Sequence, residues 1–262
     1  MKARLLLTVS AMLILASCGG GSSQSATKTT AVPVALTCAM GGTCIVGDTG
    51  PGGGIVFYVA ATSFACGTTL ASSCTYLEAA PSGWFVSPVS GCEAAESLDV
   101  DPTCVWSEKE NMDTSQFTTG TNGKAIGTGY KNTTEIVTLF GTAIASAAVS
   151  QAYRGGGLSD WSLPSKDELN ELCKYARNQT TGDTLTLCDN TGTLRSGFSE
   201  NDPSGYNGHN RWSSSSIDSS LTDYGSARVW VQYFGQIGRD DSGWQGSGHE
   251  HNNHYVRPVR AF

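Results

Sequence analysis

The stretch Asp160–Leu172, DWSLPSKDELNEL, decides the fold, because it is either a catalytic cluster of four carboxylates or the start of a core helix. Helix chemistry accounts for it. Ser165 and Glu168 stand at capping-box spacing, and Asp167 and Glu168 occupy the first turn, where the helix dipole favours negative charge. Leu169, Leu172, Cys173 and Ala176 follow at i, i+3, i+4 and i+7, one buried face. Lys174 and Arg177 fall in the last turn, the end that favours cations. Pro164 holds Leu163 extended just before the helix, and Trp161 is the natural plug beneath the turn. The acidic residues therefore read as scaffold.

A second helix is expected over NTTEIVTLFGTAIASAAVSQAY (132–153). Asn132 is its cap, with Glu135 at capping-box spacing. Ile136, Phe140, Ile144 and Ala147 share a face, and Gly155–Gly157 ends it. Strands are expected at Ile55–Val59, in TYLEAAP (75–81), RWSSSS (211–216), ARVWVQYFG (227–235) and HYVRPVRAF (254–262), all rich in β-formers or following turn residues. Pro258 cannot donate to a ladder, which predicts an edge or bulge there. Arg257 and Arg260 are candidates for pairing with Asp or Glu. The glycines of GDTGPGGG (47–54) precede a strand and lack the Gly-Lys-Ser/Thr of a phosphate loop, so they read as a turn with positive φ and close backbone approach.

The chain ends of this pattern carry location. Lys2 and Arg4 precede an apolar run, Leu5–Ala16, too short to span a bilayer, followed by Leu-Ala-Ser-Cys18. This is the form of a bacterial lipoprotein signal, with Cys18 the lipidated residue and Gly19 after it favouring outer-membrane sorting. Residues 19–36 are a Gly/Ser/Thr tether, and 37–262 a single head domain. The protein is expected on the bacterial envelope, at the outer membrane or cell surface, held to the membrane by its N-terminal lipid.

Cysteine usage agrees with export. Of 9 cysteines, Cys18 removed leaves an even number, as expected for disulfides in an oxidising compartment. Proximity pairs Cys38 with Cys44, Cys66 with Cys74, Cys92 with Cys104 and Cys173 with Cys188, although about 105 pairings of eight cysteines are possible in principle. None has the spacing of a zinc or redox site.

Charged residues make up 15% of the chain, against about 25% typically. With 16 basic and 23 acidic residues the net charge is −7, and without Lys2 and Arg4 it is 14 − 23 = −9. With no Lys/Arg run, this balance argues against nucleic acid and heavily sulfated glycans as partners.

GGGIVFYV (52–59), GGLSDWSLPSKDELNEL (156–172), RWSSSS, VWVQYFG (229–235) and YVRPVRAF (255–262), in that order, resemble a bacterial surface-domain family long catalogued as a domain of unknown function, represented by the C-terminal domain of the Legionella collagen-like adhesin. The resemblance spans roughly Val46–Phe262. It implies an α+β, C-type lectin-like variant: a twisted, mostly antiparallel sheet flanked by two helices, with long disulfide-stapled loops. LPSKDEL also resembles the turn-helix of formylglycine-generating enzymes, which share that broad fold. Their late Cys pair has no counterpart, since no Cys follows Cys188. The adhesin binds sulfated polysaccharide, a ligand at odds with the acidic balance here, and the lectin calcium signatures Glu-Pro-Asn and Trp-Asn-Asp are missing.

Ligand-binding residues are expected in the late loop 235–255, where Trp244 offers a stacking surface and Asp240, Asp241, Asn252 and Asn253 offer hydrogen bonds to sugar hydroxyls. Tyr206 and Trp212, from the loop 206–212, are expected as a second wall. His249, His251 and His254 form H-x-H-x-x-H, a weak metal candidate that requires convergence of the three rings. No cofactor is expected, and no G-x-S-x-G elbow marks an activated serine. The expected function is a non-enzymatic binding or adhesion head for a glycan or a cell-surface protein. The alternatives are a structural envelope lipoprotein and an enzyme on a formylglycine-generating-enzyme-like fold.

Overall fold

The structure, a computed structural model, describes residues 35–85, 90–93, 101–108, 123–198, 210–217, 228–235 and 243–262. Cys18, Tyr206, Asp240 and Asp241, with the expected signal and nearly all of the tether, lie outside them.

Among the described residues the chain is a mixed α+β fold of two sheets and three α-helices. The smaller sheet joins β1 (Ile55–Cys66), β2 (Ser72–Ala79) and β9 (Val259–Ala261) in that order. The larger has the order β3 (Cys92–Glu93), β4 (Thr103–Val105), β8 (Asn253–Tyr255), β5 (Asn210–Ser216), β6 (Arg228–Tyr233) and β7 (Gln245–His249). Every pairing is antiparallel except that of β5 with β8. The last expected strand is thus two strands in two sheets. Val256, Arg257 and Pro258 carry the chain from one to the other, and Pro258, which has no N–H to give, accepts from Ala80 through its carbonyl.

The expected first helix is also two. α1 runs Gly129–Phe140 and α2 runs Ala145–Ala152, with a short 3₁₀ turn between them and their axes bent by 114°. Gly141 makes the break, with φ 60° and ψ −140°, a conformation open to glycine. The bend turns both Ile136 and Ile144 into one core, while Phe140 is only partly buried. Asn132 is not the cap. It lies inside α1, buried, donating to Gly123 O and Ser214 Oγ.

α3 (Lys166–Ala176) forms as its sequence dictates. Ser165 caps it with a reciprocal capping box to Glu168, and Leu169, Leu172, Cys173 and Ala176 are buried against β1, β5 and β6. Glu168 does more than close its own helix. Its carboxylate also accepts from Gly127 N at 2.8 Å and Gly129 N at 3.3 Å. It thereby caps α1, whose own N-cap, Thr128, makes no side-chain capping bond. Burial pushes the Glu168 carboxyl up to about 7, against the pull of these backbone donors.

Trp161 is fully buried, as the plug reading requires, and its Nε1 donates to Gly155 O. The glycine turn wraps an anion after all: the chain's own Glu78, fully buried, accepts from Gly52 N, Gly54 N and Arg260 Nη1. A Cβ at Gly52 would come within 2.4 Å of the Trp161 ring. Arg260 also pairs with Asp160, and Arg257 with buried Asp101, which Arg211 reaches from the other side. The serines of β5 are buried because their hydroxyls tie the turn before α3. Ser214 Oγ donates to Pro164 O, and Ser215 Oγ accepts from Lys166 N.

All four disulfides join neighbouring cysteines: Cys38–Cys44, Cys66–Cys74, Cys92–Cys104 and Cys173–Cys188.

Candidate functional site

The polar side of α3 builds a surface. Glu171, Lys174 and Arg177 are buried, although they are charged, because they hold the loop that follows. Lys174 pairs with Glu171 at 2.7 Å and donates to Asp183 O; Gly182 N donates to Glu171 at 2.8 Å. Desolvation raises the Glu171 carboxyl, with Lys174 and Gly182 opposing it. Asn170 binds the loop at Thr186 O and Cys188 N. Arg177 donates to Thr191 O, Asn190 O and Phe234 O, clamping the loop end onto the end of β6. The Cys173–Cys188 bridge staples the loop onto the helix. Lys174 and Arg177 are thus structural donors first and dipole partners second.

The stapled loop encloses a shallow cavity of about 270 Å³. Polar side chains and one leucine line it: Lys174, Gln179, Thr180, Asp183, Thr186, Leu187, Asp189 and Thr191. Asp183 accepts from Thr186 Oγ1 and Leu185 N, and Asp189 from Thr191 Oγ1, Thr191 N and Gln179 Nε2. These hydrogen bonds hold both carboxyls below their usual range.

Trp244 stands beside this loop. Gly243, at φ 82°, packs so closely on Asp189 that a Cβ would come within 2.5 Å of its backbone. Tyr233 N donates to Trp244 O, Gly243 N to Tyr233 O, and Gln232 Nε2 to Gly243 O, all at 2.8 Å or less. The indole lies across Gly246, where a Cβ would meet its ring at 1.8 Å. It remains 51% exposed. An aromatic face on backbone pinned against the cavity-lining Asp189 can stack on the apolar face of a sugar while polar neighbours bond hydroxyls.

The other expected site residues do not gather here. Trp212 is a correction: it is fully buried, packed on His254 with ring centres 4.4 Å apart, and its Nε1 donates to Cys104 O. A strand tryptophan whose face of the sheet carries Val229 and Val231 belongs to the core. Asn252 and Asn253 lie at the far end of β7 from Trp244, roughly 17 Å along an extended strand, with Asn253 in the ladder opposite Val105. The three histidines diverge. His249 Nε2 lies 3.2 Å from Arg228, His251 Nε2 lies 3.7 Å from Glu250, and His254 is buried, its imidazole held down to about 4 by desolvation. Among the described residues no group of three His, Cys, Asp or Glu is placed to hold a metal ion.

The loop residues Thr180 to Thr191 were missed from sequence. The available signal was their bracket: a Thr/Asp/Asn-rich run leading to and past Cys188, after a helix whose polar face carries opposite charges three apart.

Comparison of the chain with family models, curated proteins and solved structures finds no match in any of the three.

Proposed function

We propose that this chain is a non-enzymatic binding head, tethered to a bacterial envelope through lipid on Cys18, which engages a glycan at the surface formed by Trp244 and the stapled loop. The observation that carries this reading is the half-exposed indole of Trp244, whose neighbour Gly243 packs on Asp189 at a cavity lined by threonines, aspartates, Gln179 and Leu187. The mixed fold, with its first and last described strands flanking β2 in one sheet and α3 packed against both sheets, supports the lectin-like assignment. The acidic residues around α3 are engaged in capping and loop anchoring, which supports a binding role over a catalytic one.

One feature favours a protein ligand as the second reading: Leu185 and Leu187, 93% and 56% exposed, stand on the same loop. A glycan array on residues 35–262, the unit that holds all the described cores and disulfides, separates the two. A saccharide hit that Trp244→Ala abolishes supports the glycan reading. A hit that survives Trp244→Ala moves the site elsewhere. Absence of any hit, with a partner whose binding is lost in Leu185→Ser, favours the protein.

A further inference from the structure

The β6–β7 hairpin has two faces, and the one opposite Trp244 collects cations. Cross-strand pairs place Arg228 beside His249, Trp230 beside Ser247 and Gln232 beside Gln245 on this face, while Val229, Val231, Gly246 and Gly248 take the other. Lys166 Nζ sits 4.9 Å and Lys124 Nζ 5.6 Å from the centre of the Trp230 ring. Arg228, two positions along the strand and so about 7 Å away, donates to Ser247 Oγ. Lys124 and Lys166 are distant in sequence from the hairpin, and hydrogen bonds bring them to it. Asp167 N donates to Lys124 O, and Gln245 Nε2 to Lys166 O.

Two features of this cluster are uncompensated. Among the described residues, the only carboxylate paired with any of the three cations is Asp167, 3.4 Å from Lys166 and half-exposed. The indole Nε1 atom of Trp230 is buried and has no acceptor among the described residues, an unfavourable state for a donor. An oxyanion answers both, accepting from the indole N–H and neutralising the ammonium and guanidinium charge.

We propose that Trp230, Lys124, Lys166 and Arg228 form a binding site for an oxyanion, the carboxylate or phosphate group of a small ligand. The site is separate from the Trp244 surface and does not rest on the glycan reading. It also qualifies the exclusion drawn from net charge, because three cations far apart in an acidic chain are assembled by the fold.

The test is a titration followed by the indole ¹H–¹⁵N resonance of Trp230, identified by its loss in Trp230→Phe. The probes are inorganic phosphate, trigalacturonate and neutral galactotriose. Either anion is expected to move the resonance saturably below about 50 mM, a range that reaches weak single-site affinities, with galactotriose inert. Saturation by trigalacturonate identifies a sugar acid as the source, and saturation by phosphate alone a phosphate ester. By calorimetry, the K124Q/K166Q variant should bind about 10-fold more weakly and Trp230→Phe about 5-fold more weakly, as expected for lost charge-assisted bonds. Added salt should weaken wild-type binding. Trp244→Ala should leave the titration unchanged, so failure of the glycan reading stays distinct from failure of this one. Near-UV circular dichroism confirms that the variants fold. No saturable movement with either anion, or wild-type affinity in both the double-lysine variant and Trp230→Phe, overturns the site.

Discussion

Replacing His254 with Leu removes one titration from the core, and its size follows from where the ring lies. The imidazole is packed on Trp212 and buried, and its pKa falls from 6.5 to about 4. Its titration therefore contributes nothing to stability at neutral pH, where the ring is neutral in both states. As pH falls below 6.5 the unfolded chain takes up a proton that the folded chain refuses, and stability is lost until about pH 4. At about 1.36 kcal/mol per pH unit, the loss reaches about 2.5 kcal/mol by about pH 4.5. Glu168 works in the opposite sense. Its folded pKa is raised from 4.5 to about 7, so its contribution is present at low pH and is lost as pH rises through that window. In the wild type the two slopes offset each other between about 4.5 and 6.5. In His254→Leu the Glu168 slope stands alone, and the variant gains stability on acidification. Denaturant unfolding with the disulfides intact, at pH values from about 7.5 to 4.5, gives the wild-type minus variant difference, which should fall by about 2.5 kcal/mol over that range. Any constant offset from repacking cancels in this comparison. A difference that stays level within about 0.5 kcal/mol across the range would refute the assignment of a neutral, buried imidazole.

Glu168→Gln replaces the carboxyl group shared by the starts of α1 and α3, protonated near pH 5, and should cost about 1–3 kcal/mol at that pH. The deficit should shrink above pH 7, where the wild type carries the buried charge; unfolding curves at two pH values measure both. Leu169→Ala opens a cavity where α3 meets the smaller sheet and should cost about 2–5 kcal/mol, read from the unfolding midpoint. Gly246→Ala drives a methyl into the Trp244 ring. Saccharide binding on the array should be lost with little change in Tm, and retained binding would mean that the indole position is immaterial.

Local rules were most readable where the chain supplies its own partners. The capping box of α3, its buried stripe, the strand after the glycine turn and the neighbouring cysteine pairs all lie within a few residues of each other. Periodicity says which side of an element is buried, but not what buries it. Position in the last turn explains Lys174 and Arg177 as dipole partners, yet they and Glu171 are covered by the loop they anchor. Gly141 was visible inside the helical pattern, and its cost there was the available clue to the break. Asp101, held between Arg211 and Arg257 at sequence separations of 110 and 156, leaves no local trace. Trp212 and Trp244 looked alike as loop tryptophans, and only the sheet order separates them: β5 is interior, while Trp244 precedes the outermost strand.

Each cysteine of the four bridges is joined to the next one along the chain, across separations of 6 to 15 residues. From Cys38 onward, a polypeptide emerging N-terminus first presents each thiol to its mate before any later cysteine arrives, and Cys18 is the one earlier thiol in the chain. Linking consecutive thiols in order of appearance makes this pattern once Cys18 is left out of the sequence of pairings, with no isomerase needed to unscramble the rest. Because every closed ring is small, breaking one bridge releases only the segment it encircles and leaves the rest of the molecule tied.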